Sequence, residues 1–159
     1  EQIQRVPDDA THLVLSIGGN DALHSTGVMS LPADTVMLAL GHLADVRHGF
    51  QRAYRAMLWQ VLGLERPTAV CTIYDSVPGL SRELQTALCI FNDTIVREAM
   101  AAHVPIIDIR SLCTEPADYS EISPIEPSAI GGQKIARAIV SWAEEMPCTD
   151  TLLVVPAHL

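Results

Sequence analysis

The chain has 159 residues, of which 48% are hydrophobic, and a formal net charge of −9. Length and composition together predict a single folded domain over residues 1–159 and exclude a disordered chain. The longest apolar runs fall far short of the roughly 20 residues that a membrane-spanning helix needs. Only ten lysines and arginines are available to contact nucleic-acid phosphates, so we expect neither a membrane span nor a nucleic-acid partner.

The first half of the chain predicts a strand followed by a long helix. The run "THLVLSI" is short, apolar and contains β-branched residues, which predicts a buried strand near residues 12–17. Two glycines end this run. Over residues 32–64, apolar side chains recur at three- and four-residue steps. That spacing predicts an amphipathic helix, bent or interrupted near Gly41 or Gly49.

The second half alternates strands with helices. The runs "TAVCTIY" and "VPIIDI" predict strands at 68–74 and 104–109. Between them we expect a helix that Ser81 caps and that ends near His103. After a proline-marked loop over residues 110–127, Ser128 is expected to cap a helix that ends near Glu145. The run "TLLVV" predicts a last strand at 151–155.

This alternation is typical of a parallel sheet with helices on its faces. In such sheets, ligands bind at the carboxyl ends of the strands. Four segments are therefore expected at one edge of the sheet, which we call the carboxyl edge: residues 18–24, 75–80, 108–113 and 123–126.

The first of these segments carries groups that could stabilise an oxyanion. Gly18 and Gly19 have no Cβ to cover their backbone amides, and Asn20 adds a side-chain amide donor. Donors at a strand end stabilise the negative charge that develops in acyl transfer. The alternative is an Asx-type turn, in which Asn20 or Asp21 satisfies nearby backbone groups, and the pattern alone favours the turn.

Asp21 and His24 are three residues apart, so on a first helical turn they could share a face and form a hydrogen bond. An aspartate that orients a histidine is half of a relay that activates a nucleophile. A solvated histidine in a loop is the more common arrangement.

Glu126 lies in "SPIEPSAIGGQ", a loop restrained by Pro124 and Pro127 just before a helix. A carboxylate held there could act as a base, as a hydrogen-bond acceptor or as a partner for an arginine. It could equally be a structural carboxylate near a helix start, where the helix dipole favours negative charge.

The cysteines Cys71, Cys89, Cys113 and Cys148 are widely spaced and form no close pair. Zinc sites usually take their ligands in close pairs, so we expect no metal. Cys71 in a strand and Cys89 on a helix are interpreted as small buried hydrophobic residues. This use of cysteine favours a reducing, cytoplasmic compartment.

Three stretches in order resemble the SGNH (GDSL-type) serine esterases and lipases. "SIGGND" is similar to the third sequence block of that family, and "FNDTIVREAMAAHVPIIDIRSL" to a later helix and strand. "PIEPSAIGGQKIARAI" is similar to the final block. The resemblance runs from about Thr11 to Trp142. It implies a flavodoxin-like three-layer sandwich, ester hydrolysis through a serine nucleophile and no cofactor.

The resemblance assigns roles residue by residue. Asn20 takes the place of the family's oxyanion-hole asparagine, and Gly18 that of the glycine that begins the same block. In the final block, however, Ser123 stands where the family has aspartate, and Glu126 where it has the catalytic histidine.

The family's Gly-Asp-Ser-Leu block, which carries the nucleophile and lies upstream of this segment in the family, does not occur in the chain. The local candidates for a serine nucleophile are Ser16, Ser25, Ser76, Ser81 and Ser123. None of them has the sequence signature of a nucleophile.

Two interpretations follow. In the first, the chain is the C-terminal portion of an SGNH hydrolase acting on small or acyl esters, with His24 or Glu126 as base. In the second, it is an SGNH-like domain without hydrolytic activity that binds or assembles. A nucleotide-binding domain is disfavoured because "SIGGND" is not a dinucleotide-binding glycine pattern and no P-loop sequence is present.

In the resembled family an extra strand and helix precede the segment that matches Thr11. Their absence would expose a strand edge, so we expect a homo-oligomer.

Overall fold

The computed structural model describes residues 2–145, arranged as a parallel sheet with helices on both faces. The strand expected at 151–155 and Cys148 lie outside these residues. The elements are β1 (Leu13–Leu15), α1 (Gly19–His24), α2 (Val36–Leu62), β2 (Thr68–Cys71), α3 (Arg82–Ala101), β3 (Ile106–Ile107) and α4 (Ala129–Glu145). Short 3-10 turns occupy Ile3–Arg5, Thr26–Ser30, Ile109–Ser111 and Pro116–Asp118.

The sheet has three described strands in the order β1-β2-β3, and both pairings are parallel. Leu13 lies opposite Thr68, and Val70 opposite Ile106. All four residues of the central strand β2 are buried, as expected for a parallel strand covered on both faces. The predicted α/β fold is confirmed, although each strand is shorter than its apolar run.

Alternate residues of β2 face two separate hydrophobic clusters. Val70 packs with residues of α2 and α3 in one cluster, whereas Ala69 and Cys71 pack with α4 and Trp142 in the other. The period of two that governs side chains in a strand therefore divides the core into two layers. Burial raises the pKa of the Cys71 thiol to about 11.

Helix α2 is continuous from Val36 to Leu62, so the alternative of an interruption at Gly41 or Gly49 is wrong. Thr35 caps the helix by accepting a hydrogen bond from the backbone N–H of Leu38 at 3.1 Å. The buried residues lie in the second half of the helix, at spacings of three and four: Phe50, Tyr54, Leu58 and Val61. A glycine costs a helix only about 1 kcal/mol, which the packing of this face on the sheet offsets.

Helix α3 begins as predicted, since the Ser81 hydroxyl accepts a hydrogen bond from Leu84 N–H at 3.3 Å. It is joined to α2 by Glu98, which is only 5% exposed. Arg55 Nε donates to Glu98 at 2.7 Å, and Gln51 Nε2 donates to it at 2.7 Å. The hydrogen bond from Arg55 lowers the pKa of Glu98 and outweighs the opposing effect of burial.

Ser128 caps α4 as predicted, because its hydroxyl accepts from the N–H groups of Ile130 and Gly131. The helix packs closely on the turn at Asp118, whose carboxylate is 1% exposed and forms an ion pair with Lys134 at 2.7 Å. Burial raises the pKa of Asp118, but the hydrogen bond from Lys134 and the backbone hydrogen bonds outweigh it and leave this pKa lowered.

The cysteines only partly follow their predicted burial. Cys71 is buried, as is Cys113, but Cys89 is exposed on α3, so its expected burial is wrong. The apolar face of α3 is formed by other positions, which leaves Cys89 on the outer side. All three thiols are free, and no cluster of potential metal ligands occurs within residues 2–145. Nor does this part of the chain contain a helix with the length and apolar character needed to cross a membrane.

Candidate active site at the carboxyl edge of the sheet

The candidate site begins where the chain leaves β1. Gly18 has φ of +111°, and a Cβ at this position would lie 3.1 Å from Ile73 Cδ1 and 3.2 Å from Phe50 Cζ. A side chain would therefore meet both an unfavourable left-handed backbone and a packed core. Glycine at this position lets the chain turn sharply from the strand into α1.

Asn20 and Asp21 lie in the first turn of α1, so the Asx-type turn is not formed. Gly18 precedes the helix without any side-chain cap, and its carbonyl accepts a hydrogen bond from Ala22 N–H at 2.9 Å. The side chains of Asn20 and Asp21 are exposed and make no hydrogen bond to residues 2–145. The Asn20 amide is therefore free to donate to a ligand.

Asn20 lines a cleft of about 640 Å³ together with Gly18 and Glu126. The volume lies within the roughly 300–1,000 Å³ that is typical of small-molecule sites. Two segments distant in sequence thus reach one cavity, because both follow the carboxyl side of the sheet. Of the predicted site residues, His24 and Ser123 are not among the described residues that line this cleft.

The relay considered for Asp21 and His24 is not formed. Both residues belong to α1, but their side chains make no hydrogen bond to each other in the described structure. His24 is the last residue of this six-residue helix and is exposed. It is solvated, as the alternative interpretation expected, although in a helix rather than a loop.

The loop that carries Glu126 is held from both sides. Ser120 N–H donates to the Glu126 carbonyl at 2.9 Å, and Glu126 N–H donates to the Ser123 carbonyl at 2.8 Å. Tyr74 follows β2 in the chain, and its hydroxyl donates a hydrogen bond to the Ile125 carbonyl at 2.5 Å. Backbone restraint therefore fixes the position of Glu126, while its exposed carboxylate makes no hydrogen bond or ion pair with residues 2–145.

Hydroxyl groups are present in the cleft, but no described residue lining it is a histidine. Ser16 and Ser25 line the cavity, and the Ser25 hydroxyl donates to the Asp21 carbonyl at 2.7 Å. The candidates Ser76, Ser81 and Ser123 are absent from the described lining. Ser16 follows β1 directly and is exposed.

Two side chains support the site, and the sequence pattern did not predict the first of them. Asn92 of α3 is 2% exposed. Its Oδ1 accepts from Ile73 N–H at 2.7 Å, and its Nδ2 donates to the Ile73 carbonyl at 2.9 Å. In the sequence, the only sign of this role is that Asn92 is a polar residue on the apolar face of a predicted helix.

The second support lies after β3, in a segment that the carboxyl-edge rule did select. Thr72 Oγ1 donates to Asp108 Oδ1 at 2.8 Å, and Arg110 Nη2 donates to Asp108 Oδ2 at 2.5 Å. Burial raises the pKa of Asp108, but the hydrogen bonds from Arg110 and Thr72 outweigh it and lower this pKa. Asp108 is thus paired within the protein, and Thr72 reaches the cleft.

No protein-family model and no curated protein sequence matches the chain. Solved structures with a similar fold include an alpha/beta hydrolase from the metagenome of Lake Arreo, Spain, with a TM-score of 0.62 and 15% identity. They also include an extracellular lipase from Streptomyces rimosus (0.59, 19% identity) and an acetyl xylan esterase (0.56, 17% identity).

The chain aligns over 82%, 88% and 86% of its own length and spans 58%, 72% and 67% of these three structures, respectively. At this level of identity the likeness establishes a shared fold: the chain has the α/β fold of these three structures.

Proposed function

We propose that the chain belongs to an ester hydrolase of the SGNH type. The observation that carries this proposal is the meeting of an unpaired Asn20 amide and an unpaired Glu126 carboxylate in one cleft. This cleft lies at the carboxyl edge of a parallel sheet, where α/β proteins bind ligands. The fold shared with esterases and lipases supports the same reaction.

In this proposal, Asn20 donates a hydrogen bond to the ester carbonyl oxygen as negative charge develops there. Gly18 sets the backbone turn that brings Asn20 to the cleft. Glu126 acts as base or acceptor, and it is preferred over His24 because it lines the cleft. Ser123 holds the loop through its carbonyl, which accepts Glu126 N–H.

Two sources of the serine nucleophile are compatible with this cleft. Ser16 and Ser25 are the serines that line the described cleft. In the resembled family the nucleophile comes instead from a strand that precedes the matching segment. A strand beside the outer edge of β1 would bring its carboxyl end to the same cleft, because β1 pairs only with β2 among the described strands.

The second candidate is an SGNH-like binding or assembly domain without hydrolytic activity. It is favoured by Glu126, which stands at the family's histidine position, and by a described cleft lining without histidine. In such a domain the cleft would bind a small molecule without cleaving it.

Turnover of a short-chain aryl ester tests both candidates. Asn20→Ala should lower turnover by about 10²–10³-fold, the usual effect of losing one oxyanion donor, with little change in stability. Glu126→Gln should also lower it. Gln133→Ala removes an exposed amide outside the cleft and serves as the matched control. Full activity of Asn20→Ala would exclude the proposed role, and inactivity of the complete native protein would favour the second candidate.

We also propose self-association. The outer edge of β1 has no partner strand in residues 2–145. In addition, the start of α2 exposes apolar side chains, with Val36 and Met37 each 78% exposed. Unpaired strand edges and exposed apolar surface favour association. Light scattering should show a dimer or larger species at micromolar concentration, and a stable monomer would contradict this expectation.

We further propose a cytoplasmic location. The free thiols of Cys71, Cys89 and Cys113 support it, because oxidising compartments favour disulfides. The lipase of similar fold is described as extracellular, so secretion is the competing outcome. Fractionation of cells that express the native gene would distinguish the two.

A further inference from the structure

The cleft has walls that are mostly apolar. Side chains from α1 and the turn after it form one wall, α2 contributes a second, and the start of α3 forms a third. The apolar residues on these three walls include Leu23, Val28, Met29, Leu43, Val46, Leu84 and Leu88. Such a surface binds hydrocarbon, since each apolar group transferred from water is stabilised in proportion to the area buried.

The charges at the cleft are all of one sign. Among its described lining residues, Asp21 and Glu126 carry carboxylates, and none is a lysine, arginine or histidine. Both carboxylates are exposed and lack a hydrogen-bonding partner in residues 2–145. They come from separate segments, α1 and the loop before α4, so a ligand bound beside Asn20 shares the cleft with two negative charges.

We infer that the cleft binds an uncharged acyl or alkyl chain and rejects the same chain when it ends in a carboxylate. Apolar walls provide the attraction, and Asp21 and Glu126 provide the discrimination against anions. This inference rests on the proposed ester hydrolysis for its biological meaning, because it names the substrate class as neutral esters with a hydrocarbon acyl group.

The charge pattern also distinguishes the ester substrate from its acid product. Water adds to the acyl carbon, the bond between this carbon and the alcohol oxygen breaks, and the products are an alcohol, a carboxylate and a proton. The substrate is neutral, whereas the acyl product is an anion at neutral pH. A cleft with two carboxylates therefore binds the ester in preference to the acid that it becomes, which limits product inhibition.

Binding of simple probes tests this without any turnover. The probes are 1-hexanol, 1-octanol and octanoate, measured with the complete chain by isothermal titration at low ionic strength. Affinity should rise about fourfold for each added methylene, the factor that corresponds to its transfer from water. Octanoate should bind more weakly than 1-octanol. Added salt should reduce this difference in affinity, because it screens the repulsion between the carboxylates.

Variants separate the two parts of the inference. Asp21→Asn should tighten octanoate binding about two- to fivefold, the range for an interaction between exposed charges, and leave 1-octanol binding unchanged. Glu126→Gln should tighten octanoate binding by a similar factor. Leu84→Gln, which changes a half-buried wall residue, should weaken both probes. Met100→Gln is the matched control, because Met100 is exposed on the same helix and outside the cleft.

The outcomes are distinguishable from those of the ester assay. Octanoate binding as tight as 1-octanol, or affinity independent of chain length, would overturn the inference even if esters are hydrolysed. Chain-length-dependent binding of 1-octanol by a protein that hydrolyses no ester would support the inference and refute the proposed catalysis.

Discussion

Replacing Gly131 by alanine should destabilise the protein and loosen the loop that carries Glu126. A Cβ at Gly131 would lie 2.2 Å from the backbone carbonyl oxygen of Asp118. The same oxygen accepts a hydrogen bond from Ser128 N–H at 2.8 Å, at the end of the Glu126 loop. Because the obstacle is backbone and not a flexible side chain, α4 must shift away from the turn, which breaks this hydrogen bond.

The size of the effect follows from three contributions. Overpacking costs about 1–3 kcal/mol, and the lost hydrogen bond about 0.5–1.5 kcal/mol. The better helix propensity of alanine returns about 1 kcal/mol. The free energy of unfolding should therefore fall by about 0.5–3.5 kcal/mol, which lowers Tm by about 2–4 °C per kcal/mol in a chain of this size.

Gly132→Ala is the matched control, since nothing lies within 4 Å of a Cβ built at Gly132. Urea and thermal unfolding should show Gly132→Ala to be neutral or more stable by up to about 1 kcal/mol. If Gly131→Ala and Gly132→Ala unfolded with the same free energy, the close contact with Asp118 would be refuted. Ester turnover, where present, should fall only in the Gly131 variant, because only that change moves the Glu126 loop.

Three other predictions concern buried polar groups. Lys134→Met should lower the free energy of unfolding by about 2–4 kcal/mol at neutral pH, because it leaves the buried Asp118 carboxylate unpaired; urea unfolding of parent and variant measures this. Since the folded-state pKa of Asp118 is lowered, its contribution is complete above the unfolded-state pKa of about 3.9 and is lost as pH falls through the folded-state pKa. The loss of unfolding free energy caused by Lys134→Met should accordingly become smaller below about pH 4. A loss that did not change with pH would contradict the ion pair. Asn92→Ala should cost about 2–4 kcal/mol, because it leaves the N–H and carbonyl of Ile73 without their partner; calorimetry showing no change in Tm would refute this.

The sequence predicted the parts of the fold that depend on local patterns. Alternating apolar runs and amphipathic segments indicated strands and helices in the observed order, since burial on a sheet requires those periods. The caps at Ser81 and Ser128 were predictable because a cap bonds to backbone groups only two or three residues away. The expectation that ligands bind at the carboxyl edge likewise placed Asn20 and Glu126 at the same edge of the sheet, and both residues line one cleft.

Tertiary structure decided whatever depends on distant neighbours. Gly18 leads directly into a helix, not into an Asx turn, and Ile73 and Phe50 pack so closely against it that little room is left for a side chain at this position. His24 and Asp21 share α1, but neither side chain bonds to the other there.

The pairs Asn92–Ile73 and Lys134–Asp118 join residues 19 and 16 positions apart. Such pairs lie beyond the reach of any local pattern. Buried polar groups must find partners wherever packing places them, and only the folded chain determines which partner that is.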